Sequence, residues 1–140
     1  MPTIRAKSVC VFRQGEQLLL AEGFDPGKNE HYLMPVGGGI DFGETAANAA
    51  RREVLEEIGA EIQDLELLGV LENLFVFDGT PGHEIVFIHE ARLVDPRLYA
   101  APELEGVETS GHRFKVRWIS LQRIREQRLN VYPQGLLELL

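Results

Sequence analysis

The spacing of apolar and polar positions changes several times along the 140 residues, and each change marks an element. Over residues 4–12 apolar residues first alternate with polar ones and then merge into Val9-Cys10-Val11-Phe12. After Gln14-Gly15-Glu16 the run 17–21, QLLLA, is apolar again, and the two runs predict a β-hairpin. Residues 23–32, GFDPGKNEHY, carry Pro26 and two glycines and read as a loop, with Lys28 in solvent or, if the loop borders a site, turned towards an anionic ligand. A short strand over 32–36 leads into Gly37-Gly38-Gly39. The period then lengthens: Ala47, Ala50, Val54 and Ile58 form one stripe of a helix. Thr45 is its N-cap, with Asn48 where a full capping box has Glu or Gln, and Gly59 suits the left-handed position that ends it.

Beyond the helix, residues 65–77 and 85–93 predict a second antiparallel hairpin joined by the turn DGTPGHE, which puts His83 and Glu84 at an exposed strand end. His89 reads as a partly buried polar residue, and Trp118 as a core or wall residue. Residues 95–112 contain Pro96, Pro102, Gly106 and Gly111 and predict a long acidic irregular loop, a length that is usually functional or disordered. Residues 116–121, VRWISL, read as a strand passing into a helix. The tail LNVYPQGLLELL reads as a proline-containing approach followed by an apolar helix.

The densest chemistry lies in residues 38–60, GGIDFGETAANAARREVLEEIGA. Glu53, Glu56 and Glu57 stand at i, i+3 and i+4, so on a helix their carboxylates leave from one face, about 5–6 Å apart at Cβ. Like charges at this spacing repel by a few tenths of a kcal/mol per pair, so the face calls for a cation. A hard divalent ion, Mg²⁺ or Mn²⁺, suits carboxylate oxygens and bridges them to phosphates. Glycines 37, 38, 39 and 43 let backbone approach such a ligand closely. Arg52 borders the acidic face and can fork onto Glu44 or a helix glutamate.

Gly38, Glu44, Arg52, Glu53, Val54, Glu56, Glu57 and Gly59 together resemble the signature of the Nudix hydrolases; only Ala60 departs, where that pattern carries a bulkier aliphatic residue. The resemblance implies an α/β fold, an α/β/α sandwich with a curved mixed sheet between the box helix and a C-terminal helix. It implies metal-dependent hydrolysis of the diphosphate bond in a nucleoside diphosphate linked to a group X. Glu53, Glu56 and Glu57 would be metal ligands, joined by a backbone carbonyl at Gly38. The ions would offset the diphosphate charge and activate water for in-line attack at phosphorus. Arg52 and Glu44 would orient the ligands. The base would be a box glutamate or a further carboxylate from the later loop, Glu103, Glu105 or Glu108. Gly38, Gly39 and Tyr32, with Tyr132 and Gln134 from the tail, are the substrate-contact candidates.

Phe75 stands where an ADP-ribose subgroup carries proline, and ENLFVF lacks the tyrosine of a dinucleoside polyphosphate subgroup. Both absences favour a nucleoside di- or triphosphate or leave a broad-specificity enzyme, with ADP-ribose, nucleotide sugars and dinucleoside polyphosphates as the alternative substrates. A non-catalytic nucleotide sensor is the competing class, and the complete box favours the enzyme.

Composition narrows the partners. With 14 basic against 22 acidic residues, a net charge of −8, a nucleic acid polymer or an anionic membrane is a poor partner, while a small nucleotide with its metal is not. The length predicts one domain, 1–140, burying about 68% of its unfolded surface. The single Cys10 lies in an apolar run, as a core thiol does, and excludes an intramolecular disulfide. No signal-like or membrane-spanning run is present, so the expected location is the cytoplasm, and a homodimer is left open.

Overall fold

The computed structural model describes residues 2–140. The strands form two sheets. The first has the strand order β5 (Val36–Gly39), β1 (Ile4–Val11), β7 (Thr80–Leu93), β6 (Ile62–Phe77); β1 runs parallel to β7 and the other pairings are antiparallel. The second is antiparallel, in the order β2 (Arg13–Gln14), β3 (Gln17–Asp25), β9 (Arg113–Ser120), β8 (Glu103–Val107), with β4 (Glu30–Met34) also bonded to β3.

The unbroken apolar runs of β1 and β3 have a physical cause. Side chains alternate across a strand, and both of these strands are buried on both faces. Val9, Val11, Leu18 and Leu20 join Val86, Ile88 and Ile119 in one cluster, while Cys10, Phe12, Leu19 and Ala21 join Val36, Val54 and Leu93 in the other. Each such side chain contributes about 1.5–3 kcal/mol when fully buried. The helix α1 (Ala46–Ile58) buries Ala49, Ala50 and Val54 and closes the second cluster through Val54 and Ile58. On the other side α3 (Leu121–Glu126), capped by Ser120, inserts Ile124 into the first cluster beside Leu136. This is the expected sandwich of helices about curved sheets. Ala60 is buried in the second cluster, so its small side chain still fills a packing position. Burial pushes the Cys10 thiol up to about 12, which leaves it an inert core group. No helix among the described residues is long and apolar enough to cross a membrane.

Four local expectations give way to long-range pairing. Residues 4–12 and 17–21 are not one hairpin: only β2 turns back onto β3, while β1 is claimed by β5 and β7 in the other sheet. The second hairpin is longer than its sequence suggests. Asp78 and Gly79, at φ 48° and 76°, make a two-residue turn, so His83 and Glu84 lie well inside β7 rather than at a free end. The stretch 95–112 is not irregular: it contains a one-turn helix, α2 (Arg97–Ala100), and β8, which pairs with β9. The tail forms only a 3₁₀ turn, Leu137–Leu139, because its backbone bonds are partly spent on β4: the Leu33 N–H donates to the Asn130 carbonyl and the Tyr132 N–H to the Leu33 carbonyl.

Candidate active site

The carboxylate face of α1 is held in place from both ends. The Asn48 N–H donates to Thr45 Oγ1 at 3.1 Å, and Gly59 ends the helix at φ 66°. Ser8 Oγ on β1 donates to the Ala46 carbonyl at 2.6 Å, fixing the first turn against the sheet; the buried His89 ring lies 3.3 Å from the same hydroxyl.

Arg52 is the hub of the acidic face. Its Nε and Nη2 donate to the two oxygens of Glu44 at 2.7 and 2.8 Å, a bidentate fork. Nη2 also donates to the Gly39 carbonyl at 3.0 Å, which ties the helix to β5. Nη1 reaches Glu53 at 3.0 Å and Glu56 at 3.2 Å. The Arg52 hydrogen bonds hold the Glu44 carboxyl down at about 2, so it stays ionised at any working pH. The predicted fork between Arg52 and Glu44 is present, and it includes the loop, because the Asp41 N–H donates to Glu44 Oε1.

Glu53 and Glu57 form a crowded pair against the glycine strand. A Cβ on Gly38 would stand 2.5 Å from Glu53 Cδ, so only glycine lets that carboxylate lie on the backbone. Burial first, then a hydrogen bond to Glu53 and the Glu53 charge, push the Glu57 carboxyl up to about 8. Two carboxyls sharing a proton in this way are a donor set that a divalent cation relieves, and their oxygens match a hard metal. Glu56 is half exposed and turned onto Arg52. Among the described residues no three His, Cys, Asp or Glu side chains are gathered into a finished cage. Glu53 and Glu57 are the adjacent carboxylates that could hold a hard cation.

These groups sit on the wall of a cavity of about 1030 Å³ lined by residues of both sheets. Its aromatic side is built by Tyr32 of β4, packed edge-on against Phe77 at 6.3 Å and Tyr132 at 5.8 Å. Gly23, opposite Tyr32 on β3, makes room for the ring: a Cβ there would lie 2.6 Å from the phenol oxygen. Of the three candidate glutamates in 95–112, only Glu108 reaches the cavity, from the turn between β8 and β9. Glu103 and Glu105 lie outside it, paired with Lys115 and Arg117 and with Arg113. Gln134 is exposed and does not line the cavity, whereas Tyr132 does. Lys28 also lines it, 3.9 Å from Asp25, whose Oδ1 accepts from the Asp78 and Gly27 N–H groups and so joins two loops.

Several lining residues escape a reading of local sequence. Glu84 is buried in β7, with its Oε2 3.7 Å from Lys7 Nζ, and Asn73 is buried across from it on β6. The sequence does hold a signal: Glu84, Val86 and Ile88 are two apart and share a face, so once Val86 and Ile88 are core, Glu84 points inward as well.

An acidic helix face backed by a glycine strand, opening on a pocket with aromatic walls, defines a phosphoanhydride-cleaving class of site. The chain belongs to the Nudix hydrolase family: the NUDIX domain profile matches residues 2–140. It is 28% identical over 127 residues to the oxidized purine nucleoside triphosphate hydrolase of Mus musculus, covering 89% of this chain and 71% of that protein. To the protein of the same name from Danio rerio it is 30% identical over 118 residues, covering 83% of this chain and 65% of that one. Among solved structures it is similar to a NUDIX hydrolase from Nitrosomonas europaea, with TM-score 0.70 and 21% identity over 98% of this chain and 86% of that one. A MutT NUDIX hydrolase from Burkholderia pseudomallei aligns with TM-score 0.61 and 21% identity, over 86% and 85% of the two chains. These two likenesses carry the fold. Nudix hydrolases act on small nucleotides and generally use divalent metal ions.

Proposed function

We propose that this chain hydrolyses nucleoside triphosphates at a diphosphate bond, with purine nucleotides favoured. The observation that carries this is the Glu53–Glu57 pair, pressed against Gly38 on the wall of a cavity that Tyr32, Phe77 and Tyr132 line opposite. Flat aromatic rings suit a base, and the acidic face suits metal-held phosphates. The names of the mouse and zebrafish relatives support the triphosphate and the purine.

Glu53, Glu56 and Glu57 would hold Mg²⁺ or Mn²⁺, with the Gly38 backbone beside them. When bound, such ions offset the diphosphate charge and lower the pKa of a coordinated water. The protein's own residues do the rest. Arg52 keeps Glu53 and Glu56 oriented while Glu44 keeps Arg52 oriented. Glu108, which lines the cavity and whose charge helps to raise Glu57, is the carboxylate outside the box to which we assign acceptance of a proton from the attacking water. Tyr32, held neutral by burial and then by the charges of Glu108 and Asp25, presents a phenol O–H donor to the ligand.

The test is release of phosphate or diphosphate, with Mg²⁺, from a panel of ribo- and deoxynucleoside triphosphates, ADP-ribose, nucleotide sugars and dinucleoside polyphosphates. Purine triphosphates should be turned over fastest. Faster cleavage of ADP-ribose or a nucleotide sugar than of any triphosphate would overturn the reading.

A further inference from the structure

The cavity has a charge problem that the box does not solve. Eight carboxylates line it against three permanent cations, Arg5, Lys7 and Lys28, and Lys28 is drawn towards Asp25. A polyphosphate entering this field needs positive groups beyond a metal held at the box.

Two cations are placed for that. Arg5 and Lys7 are two residues apart on β1 and share its cavity face. Lys7 pairs across to Gly39 on β5, and Arg5 Nη2 lies 3.1 Å from where a Cβ of Gly39 would stand. Gly39 has no left-handed φ, so its missing side chain is explained by space: it leaves room for the guanidinium to lie over the glycine strand. The next glycine along, Gly38, backs directly onto the Glu53 carboxylate. Among the described residues Arg5 makes no ion pair, so its fork is unspent. Glu84 stands opposite Arg5 on β7, buried, with its carboxylate towards the Lys7 ammonium. A planar fork beside a point charge is a combination suited to successive phosphate groups.

We propose that Arg5 and Lys7 form a phosphate-binding pair that grips the polyphosphate chain next to the box glutamates, and that Glu84 positions Lys7. This rests on the nucleoside polyphosphate reading and sharpens it: the pair rewards oxyanions beyond the bond being cut, hence a triphosphate over a nucleotide sugar.

The probe is inorganic tripolyphosphate, titrated calorimetrically into the full chain with Mg²⁺, with circular dichroism as a check on the fold. Arg5→Ala should weaken binding by about tenfold, the scale of a lost charge-assisted bidentate contact, and Arg5→Lys should recover part of it. Lys7→Met should weaken binding comparably, and Arg92→Ala, at an exposed site, should bind as wild type does. Because Lys7→Met alone leaves Glu84 without its partner, Lys7→Met with Glu84→Gln serves as the charge-balanced variant. If Glu84 acts through Lys7, Glu84→Gln weakens binding alone but adds nothing on top of Lys7→Met; additive losses overturn its positioning role. A wild type that does not bind tripolyphosphate, or Arg5 and Lys7 variants that bind as tightly as wild type, overturns the pair. Turnover is scored separately. Binding through Arg5 and Lys7 without triphosphate cleavage sinks the substrate reading and leaves the pair standing, while cleavage with unaffected variants sinks the pair alone.

Discussion

Residues 38–60 and 95–112 are both acidic and glycine-containing, yet one announces its structure and the other conceals it. In 38–60 each signal is local: the Thr45 hydroxyl caps within three residues, Gly59 adopts its left-handed φ, and the glutamates are neighbours on one helix face. In 95–112 the deciding bonds come from elsewhere. Glu103 pairs with Arg117 and Val107 with Arg113 across the second sheet, and Gly106 is a slot for the Phe114 ring rather than a flexible joint. Local chemistry can be read from spacing, whereas a strand exists only when its partner does.

That contrast can be tested, beginning with the largest effect. Glu57→Gln should lower metal-dependent turnover on the order of 10³-fold, about 4 kcal/mol of transition-state stabilisation, with the fold intact by circular dichroism. Near wild-type kcat would remove Glu57 from the metal site. Gly106→Ala should destabilise the chain by about 1–3 kcal/mol in urea unfolding, because its Cβ would stand 2.9 Å from Phe114 Cδ2. An unchanged midpoint would mean that 103–107 is the loose loop its composition suggests.

A subtler effect comes from the proton on Glu57. In the folded, metal-free chain this carboxyl titrates near 8 rather than at its ordinary value of 4.5, so the folded state binds the proton more tightly than the unfolded state. Stability should therefore fall as pH rises from about 4.5 to about 8, and Mg²⁺ should raise the melting temperature more at pH 8 than at pH 5. Glu57→Gln should flatten that slope; a slope that survives would assign it to another group. The smallest effect separates the three glutamates of 95–112. Glu103→Gln with Glu105→Gln should change stability by no more than about 0.5 kcal/mol, since both pairs are exposed. Glu108→Gln should instead lower kcat and shift its pH profile. The opposite ranking would put the site on the outer face of β8.

Much of the candidate site was legible because helix chemistry is short-range. The Arg52–Glu44 fork and the Thr45 cap follow from spacing within a few residues, whereas the seat of Glu53 on Gly38 needed β5 to be packed against the helix. Glu84 and Asn73 were hidden because a strand residue's face depends on register, and the turn at Asp78-Gly79 moved the register of the whole hairpin. The tail misled for a related reason. An apolar run predicts burial, and Leu136 is buried, but 130–132 pair with β4 and the run beyond them winds only into the 3₁₀ turn Leu137–Leu139.

The sequence alone determined the chemistry of this protein: which carboxylates crowd, which glycines give way, and that a divalent ion suits them. Those properties depend on residues a few positions apart, whose separation any helix fixes. Only the tertiary structure decided what the chemistry faces. It set Arg5, Lys7 and Glu84 in the same cavity as the box glutamates, brought Glu108 into its lining and left Glu103 and Glu105 outside, because strand order and register are settled by which distant segments pair and bury one another.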